Sequence, residues 1–196
     1  MSAMSPVSAG APAVPVLTTA RLVLRAPRLA DFDDAYAMWR EPTVVRFIGG
    51  RPFSREECWA RLLRYVGHWA ALGHGFWTIE TRDGGRFVGE CGFADFHREL
   101  DATWFGAAPE HGWALAPWAH GQGFGREAVA ATLAWADAHL AAHVSGGRTT
   151  ASETRTVCMI DPANAPSIAL ATGCGYVEAA RTTYKGEPTI LFARGA

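Results

Sequence analysis

Three glycines, Gly121, Gly123 and Gly125, alternate in the stretch PWAHGQGFGREA (residues 117–128), directly ahead of a segment with helical periodicity. Glycine there keeps side chains away from a helix N-terminus, where successive backbone N–H groups point outward and the helix dipole favours an anion. The chemistry this pattern supports is the holding of phosphate. Three readings compete on the residues alone. Glycines can simply end a strand and clear room for a helix. Gly123 to Ala128 also fits the dinucleotide fingerprint G-x-G-x-x-A, with Asp161 closing the next strand. That fold opens with its fingerprint strand and needs a second mononucleotide half, and the 35 residues after Asp161 are too few for it. A Walker loop is excluded, because no Lys–Ser/Thr pair follows. The third reading is a pyrophosphate cradle for another kind of ligand.

Other reactive side chains offer less. His139 and His143 stand four residues apart on one helix face, a spacing that can bind metal. No third ligand accompanies them, and cationic side chains suit a helix C-terminus, so no metal is expected. Cys58, Cys91, Cys158 and Cys174 form no C-x-x-C pair. They make neither a disulfide framework nor a zinc site, and they suit a reducing cytoplasm.

The elements that must position the glycines can be read in outline. RLVLRA (21–26) alternates as a half-buried strand does, and LADFDDAYAMWR (29–40), with early aspartates, favours a helix. Ser54 and Glu57 stand in capping-box spacing before an amphipathic helix ending near Leu72. Residues 75–96 predict two strands joined at Asp83–Gly84–Gly85. An irregular connection (97–110) leads to a short strand in HGWALA (111–116) and a helix from Gly123 to Leu140. A Gly/Ser/Thr loop (142–154), a strand at 155–160, a short helix at 163–173 and a hairpin around Gly186 complete the chain. The expectation is a mixed α/β fold with six to seven strands and about four helices.

With 196 residues, 49% hydrophobic and 19% charged, the chain suits one globular domain with a sizeable core. A net charge of −1 gives no basic field for nucleic acid, and no apolar stretch approaches membrane-spanning length. Residues 1–16, rich in Ala, Pro and Ser, read as a flexible tail and not a signal peptide, leaving residues 17–196 as the domain.

The stretch EHGWALAPWAHGQGFGREA resembles the acetyl-coenzyme A motif R/Q-x-x-G-x-G/A of GCN5-related N-acetyltransferases (GNAT). His120 takes the R/Q place, Gly123 the first glycine and Gly125 the final small residue. Glu127 and Ala128 are similar to the branch containing ribosomal-protein N-terminal (alanine and serine) acetyltransferases. Two further blocks agree with that branch. NAPSIALATGCGY matches through Asn164, Ser167, Gly175 and Tyr176, and LTTARLVLRAPRLADFDDA matches its first strand and helix. Together the blocks reach from about Leu17 to Ala193.

The resemblance implies a GNAT fold, with a mostly antiparallel sheet whose central strands splay at the cofactor site. It implies acetyl-coenzyme A as acetyl donor and a primary amine, on a protein N-terminus or a small molecule, as acceptor. Monomer or homodimer are both compatible with it. His120, Gly121, Gln122, Gly123, Phe124, Gly125 and Arg126 would form the pyrophosphate seat. Leu115 and Ala116 would pair with the pantetheine arm, one freed N–H there polarising the acetyl carbonyl. Asn164 would bond the pantetheine amides. Glu110 is the candidate base, directly or through water. Ser167 would protonate the departing thiolate or only bind the cofactor. Tyr176 is expected in the core. Trp104 and Phe105 either line the acceptor pocket or pack in the core. Arg46, Arg51, Phe53 and the hairpin at Tyr184–Pro188 fall in loops that flank acceptors in the family. An amine of pKa about 8 is roughly one-tenth neutral at pH 7, so an N-terminal or activated amine needs only modest base help. A non-catalytic acyl-coenzyme A-binding module is the competing reading, which the joint presence of Glu110 and Ser167 disfavours.

Overall fold

The computed structural model describes residues 13–102, 104–144 and 156–195. In chain order its elements are β1 (Leu17–Thr18), β2 (Leu22–Arg25), α1 (Phe32–Trp39), α2 (Pro42–Val45) and α3 (Arg55–Leu72). Then come β3 (Phe76–Thr81), β4 (Phe87–Ala94), β5 (Glu110–Leu115), α4 (Phe124–Val144), β6 (Thr156–Ile160), α5 (Ala165–Gly173), β7 (Val177–Tyr184) and β8 (Glu187–Arg194). One sheet runs β1-β2-β3-β4-β5-β6-β8-β7, and β5–β6 is its parallel pair among antiparallel neighbours. That topology is incompatible with the doubly wound dinucleotide fold.

The count exceeds the expected six to seven strands and four helices by two short elements. β1 has two residues and α2 four, too few for any periodicity to register. The tail boundary also shifts. Val14 packs against the core and the Pro15 carbonyl accepts a 2.8 Å bond from Trp77 Nε1, so the chain is anchored before Leu17. α4 continues to Val144, making the first residues of the expected 142–154 loop helical; residues 145–155 lie outside the described residues.

α4 and α5 cover one face of the sheet. Alternate residues of β2, β3 and β4 (Leu22, Leu24, Trp77, Ile79, Cys91, Phe93) meet Val129, Leu133 and Ala136 there. Trp69, Trp77 and Trp135 close this core edge to face, with centroids 4.6 to 5.6 Å apart. α1 to α3 cover the other face, where Met38, Trp39, Val45 and Cys58 pack on Ala114 and Ala116. α3 starts at the expected capping box: Ser54 Oγ accepts from Glu57 N at 3.2 Å while Glu57 Oε2 accepts from Ser54 N at 2.7 Å.

A polar chain runs through the first core. His111 on β5 bonds Tyr176 Oη (3.1 Å) and Thr132 Oγ1 (3.0 Å), and Tyr176 Oη donates to Thr156 Oγ1 (2.9 Å). Tyr176 is thus a buried core residue. Burial, aided by the charge of Arg194, lowers the His111 pKa from 6.5 to about 3. Below 6.5 the unfolded chain takes up a proton that the folded state refuses, so stability falls as pH drops toward 3, by about 1.4 kcal/mol per unit. Between pH 7.5 and 5 this costs about 2 kcal/mol, which His111→Gln removes. Urea unfolding at both pH values measures it, and an equal pH slope in both proteins would contradict the assignment.

Candidate active site

The chain passes from β5 to α4 through a 3-10 turn (Pro117–Ala119) and the glycine loop. Gly121 and Gly123 take φ values of 71° and 78°, a left-handed region where a β-carbon is strained. Gly125 is helical, and a Cβ on it would lie 3.4 Å from Leu170 Cδ2 and 3.6 Å from Leu115 Cδ1. α4, α5 and the end of β5 therefore meet at this residue. The helix ladder opens with Glu127 N donating to Gly123 O at 3.2 Å. The N–H groups of Phe124, Gly125 and Arg126 lie ahead of that bond and point out of the N-terminus. The Phe124 side chain is buried, whereas Arg126 is exposed beside the loop.

Glu127 fastens this seat to the sheet. Its carboxylate accepts from Thr19 Oγ1 (2.6 Å), Arg21 N (2.8 Å) and Arg21 Nε (2.7 Å). Partial burial opposes its charge, but these bonds hold its pKa below the usual carboxylate range. Arg21 also donates to Gln122 O (2.8 Å) and lies 4.5 Å over the Phe124 ring. His120, expected to offer its backbone N–H to the cofactor, commits that group to Pro117 O at 3.2 Å. Its imidazole Nε2 bonds Leu115 O at 2.9 Å instead, making His120 a strut between loop and strand. The Gln122 amide similarly donates to Trp118 O, leaving only its backbone toward the loop.

Beside this seat the sheet opens. β5 and β6 share a single register pair, Glu110↔Val157, and part beyond it. The expected splay is present. Ala116 does not line it: its N–H donates to Val88 O and its carbonyl accepts from Ala119 N, both at 2.8 Å. In an antiparallel ladder the alternate residues Trp113 and Leu115 then direct their backbone groups away from β4, toward the opening, the Leu115 carbonyl being the one His120 holds.

Glu110 begins β5 on the face turned toward α3, and only 7% of its surface is exposed. Arg98 grips it with two bonds, Nε to Oε2 and Nη2 to Oε1, the latter 2.7 Å. Burial pushes the Glu110 carboxyl up, against the pull of Arg98. Two residues on, Gly112 faces the Phe76 ring so closely that a Cβ would stand 2.8 Å from it. Phe105 is buried against Val157 and Leu191 and lines the small pocket at Glu110, while Trp104 packs edge-on to it, partly exposed.

Across the opening, Asn164 is the N-cap of α5, its Oδ1 accepting from Ser167 N at 3.2 Å. Ser167 Oγ accepts from Trp113 Nε1 at 3.4 Å. Ser167 is therefore held at the strand that carries Glu110, three residues, or about 10 Å, further along it. Glu110 and Ser167 flank the opening without touching. The expected acceptor loops divide. Arg51 pairs with Glu57 and Phe53 stacks on Trp39 at 5.2 Å, both structural contacts. The β7–β8 turn, Lys185 (φ 52°) and Gly186 (φ 88°), borders an open cleft of about 450 Å³ with Phe96, Arg98 and Tyr184. Arg98 escaped the sequence reading, since eleven residues of irregular chain separate it from Glu110 and no periodicity links them. His139 Nδ1 bonds Trp135 O at 2.8 Å and its ring stacks on Trp135; the side chain of His143 lies outside the described residues. No group of three potential metal ligands occurs among the described residues.

This glycine-lined helix mouth beside a parting parallel pair coincides with a family match. Residues 21–177 match the model of the acetyltransferase (GNAT) domain, and the chain belongs to that family. A GnaT-family acetyltransferase of Bordetella pertussis is 32% identical, with a TM-score of 0.75 over 92% of this chain and 99% of its own. Two more distant structures share the fold. Ribosomal-protein-S5-alanine acetyltransferase of Vibrio fischeri is 17% identical (TM-score 0.67; 92% and 96% covered). Spermidine N-acetyltransferase of Vibrio cholerae, solved with coenzyme A and spermine, is 16% identical (TM-score 0.61; 89% and 94% covered).

Proposed function

We propose that this acetyltransferase moves the acetyl group of acetyl-coenzyme A to a primary amine by direct transfer, without an acyl-enzyme. The observation that carries the reading is the opening of β5 from β6 beside the N-terminus of α4. The residues present fit the donor. The left-handed glycines keep the loop free of side chains, and three first-turn N–H groups with Arg126 suit a pyrophosphate. Trp113 offers its strand-type backbone groups and Leu115 its N–H to the amides of the pantetheine arm, and Asn164 has its side-chain N–H₂ left for the same purpose. Acetyl-coenzyme A supplies an activated thioester when bound.

Glu110 accepts the proton of the attacking amine, directly or through water, and Arg98 sets the orientation of its carboxylate. Ser167, fixed by Trp113, stands where the sulfur departs; a thiol of pKa about 8.5 leaves with little acid help, so Ser167 contributes mainly by binding. Holding amine and thioester together supplies much of the acceleration. The acceptor is a protein N-terminus or a small-molecule amine, as for the relatives named for a ribosomal protein and for spermidine. Free cysteines, three of them buried, suit a reducing compartment, and among the described residues no helix is long and apolar enough to cross a membrane.

A thiol-release screen with acetyl-coenzyme A over small amines and N-terminal peptides tests the reading. Amine-dependent release with at least one class is the expected result. Binding of acetyl-coenzyme A with no release over the whole panel would overturn it.

A further inference from the structure

Three arginines gather on the face of the sheet that carries Glu110. α3 presents Arg61, Arg64 and His68 along one stripe, spaced three and four residues apart. Arg98 enters from the connection after β4. Phe96 joins the two sides: its ring centroid lies 5.3 Å from the Arg64 guanidinium carbon and 4.5 Å from that of Arg98. Phe96 packs on Tyr65, Phe76 and Ala94, and Ala94 pairs directly with Glu110 in the sheet.

The carboxylates of this corner are Glu90, Glu110, Asp95 and Glu99, and they leave one guanidinium, that of Arg64, without a hydrogen bond or ion pair among the described residues. Glu110 is taken by Arg98, and buried Glu90 accepts from Trp39 Nε1 at 2.9 Å. Arg61 donates to Tyr65 Oη at 3.0 Å, and its Nε is buried without a partner. The Arg64 guanidinium makes no hydrogen bond or ion pair among the described residues. Elsewhere at the start of α3 the arginines are paired, Arg51 with Glu57 and Arg55 with Asp33. Partial desolvation and the charges of Arg61 and Arg98 pull the Arg64 pKa down, against the opposing pull of Tyr65 and Glu90. Arg61 is attracted by the Glu90 carboxyl, and Glu99 and Lys185 both border the cleft, so the guanidinium left without a hydrogen bond or ion pair among the described residues is that of Arg64. A guanidinium fork with no carboxylate, beside a second guanidinium over one aromatic ring, is built to receive an oxyanion.

We infer that the acceptor carries a carboxylate a few bonds from its amine, which Arg64 takes beside the outer edge of Arg98 while the amine is turned to Glu110. The part played by the amine rests on the transferase reading; the anion site does not. The carboxylate can be that of a free amino acid or an acidic side chain near a peptide N-terminus.

Product-like probes without an amine separate the two claims. Calorimetric binding of N-acetylalanine is compared with N-acetylalaninamide, and of N-acetyl-Ala-Asp-amide with N-acetyl-Ala-Asn-amide, in wild type, Arg64→Gln and Arg64→Lys. In wild type one carboxylate should bind about tenfold more tightly than its amide, a preference that Arg64→Gln erases and Arg64→Lys largely keeps. The pair that shows it identifies the source. Equal binding of acid and amide in both pairs, or a preference that survives Arg64→Gln, overturns the inference. The free-amine counterparts are then assayed for thiol release. Arg64-dependent carboxylate binding with no release from any amine upholds the anion site and sinks the transferase reading. Release that is equal for acid and amide acceptors does the reverse. Arg64 is exposed on α3, and an unchanged melting temperature shows that its variants fold.

Discussion

Gly123→Asp should raise the dissociation constant of acetyl-coenzyme A by at least about a hundredfold, through like-charge repulsion in the phosphate seat. Gly123 stands at φ 78° just ahead of the first turn of α4, with open space around it. A β-carbon there meets only the Arg21 Nη2 atom, at 3.4 Å. The new carboxylate would lie within reach of the first-turn N–H groups, the donors that suit a pyrophosphate. Aspartate tolerates the left-handed region better than most residues, so the backbone cost is about 1 kcal/mol and the fold survives. Gly123→Ala carries at least as much backbone strain without the charge and should lose only a small part of the affinity. Calorimetry on both variants reads the difference. Unchanged affinity in Gly123→Asp would move the phosphate seat elsewhere.

Glu110→Gln should lower kcat by about 10²- to 10³-fold while the affinity for acetyl-coenzyme A stays within about twofold, since an amide cannot take the amine proton. In wild type, kcat/KM should fall as pH drops through the Glu110 pKa, because only the ionised carboxylate can act as base. Burial raises that pKa against Arg98, so the acid limb lies above the usual carboxylate range. Glu110→Gln should lose this limb. A kcat within threefold of wild type, or an unaltered limb, would restrict Glu110 to holding Arg98. The glutamine still accepts one Arg98 bond, which limits the stability loss to about 1–3 kcal/mol and keeps the variant measurable.

Much of the frame was legible in the chain. Gly121 and Gly123 marked the mouth of α4 because their left-handed turns favour glycine, and Gly125 follows them at the contact with Leu115 and Leu170. The capping box at Ser54 and Glu57 and the hairpins at Gly84–Gly85 and Gly186 are local in the same way, each a few residues whose backbone needs are met by their own side chains. β1 and α2 went unseen because two and four residues hold no period.

The sequence by itself determined the glycine seat and the placing of Asn164 at a helix start, since short-range backbone chemistry governs both. Glu110, read as the end of the irregular connection, opens β5 because its pairing with Ala94 is set by the sheet. The tertiary structure decided which of these groups are free to act. It committed the N–H groups of Ala116 and His120 within the protein and turned those of Trp113 and Leu115 to the opening. It also closed Arg98 on Glu110 and left the Arg64 guanidinium without a hydrogen bond or ion pair among the described residues. Those outcomes depend on partners far apart in the chain, brought together by the packing of α3 and of the connection after β4 on the sheet. No spacing along one strand or helix encodes such a meeting.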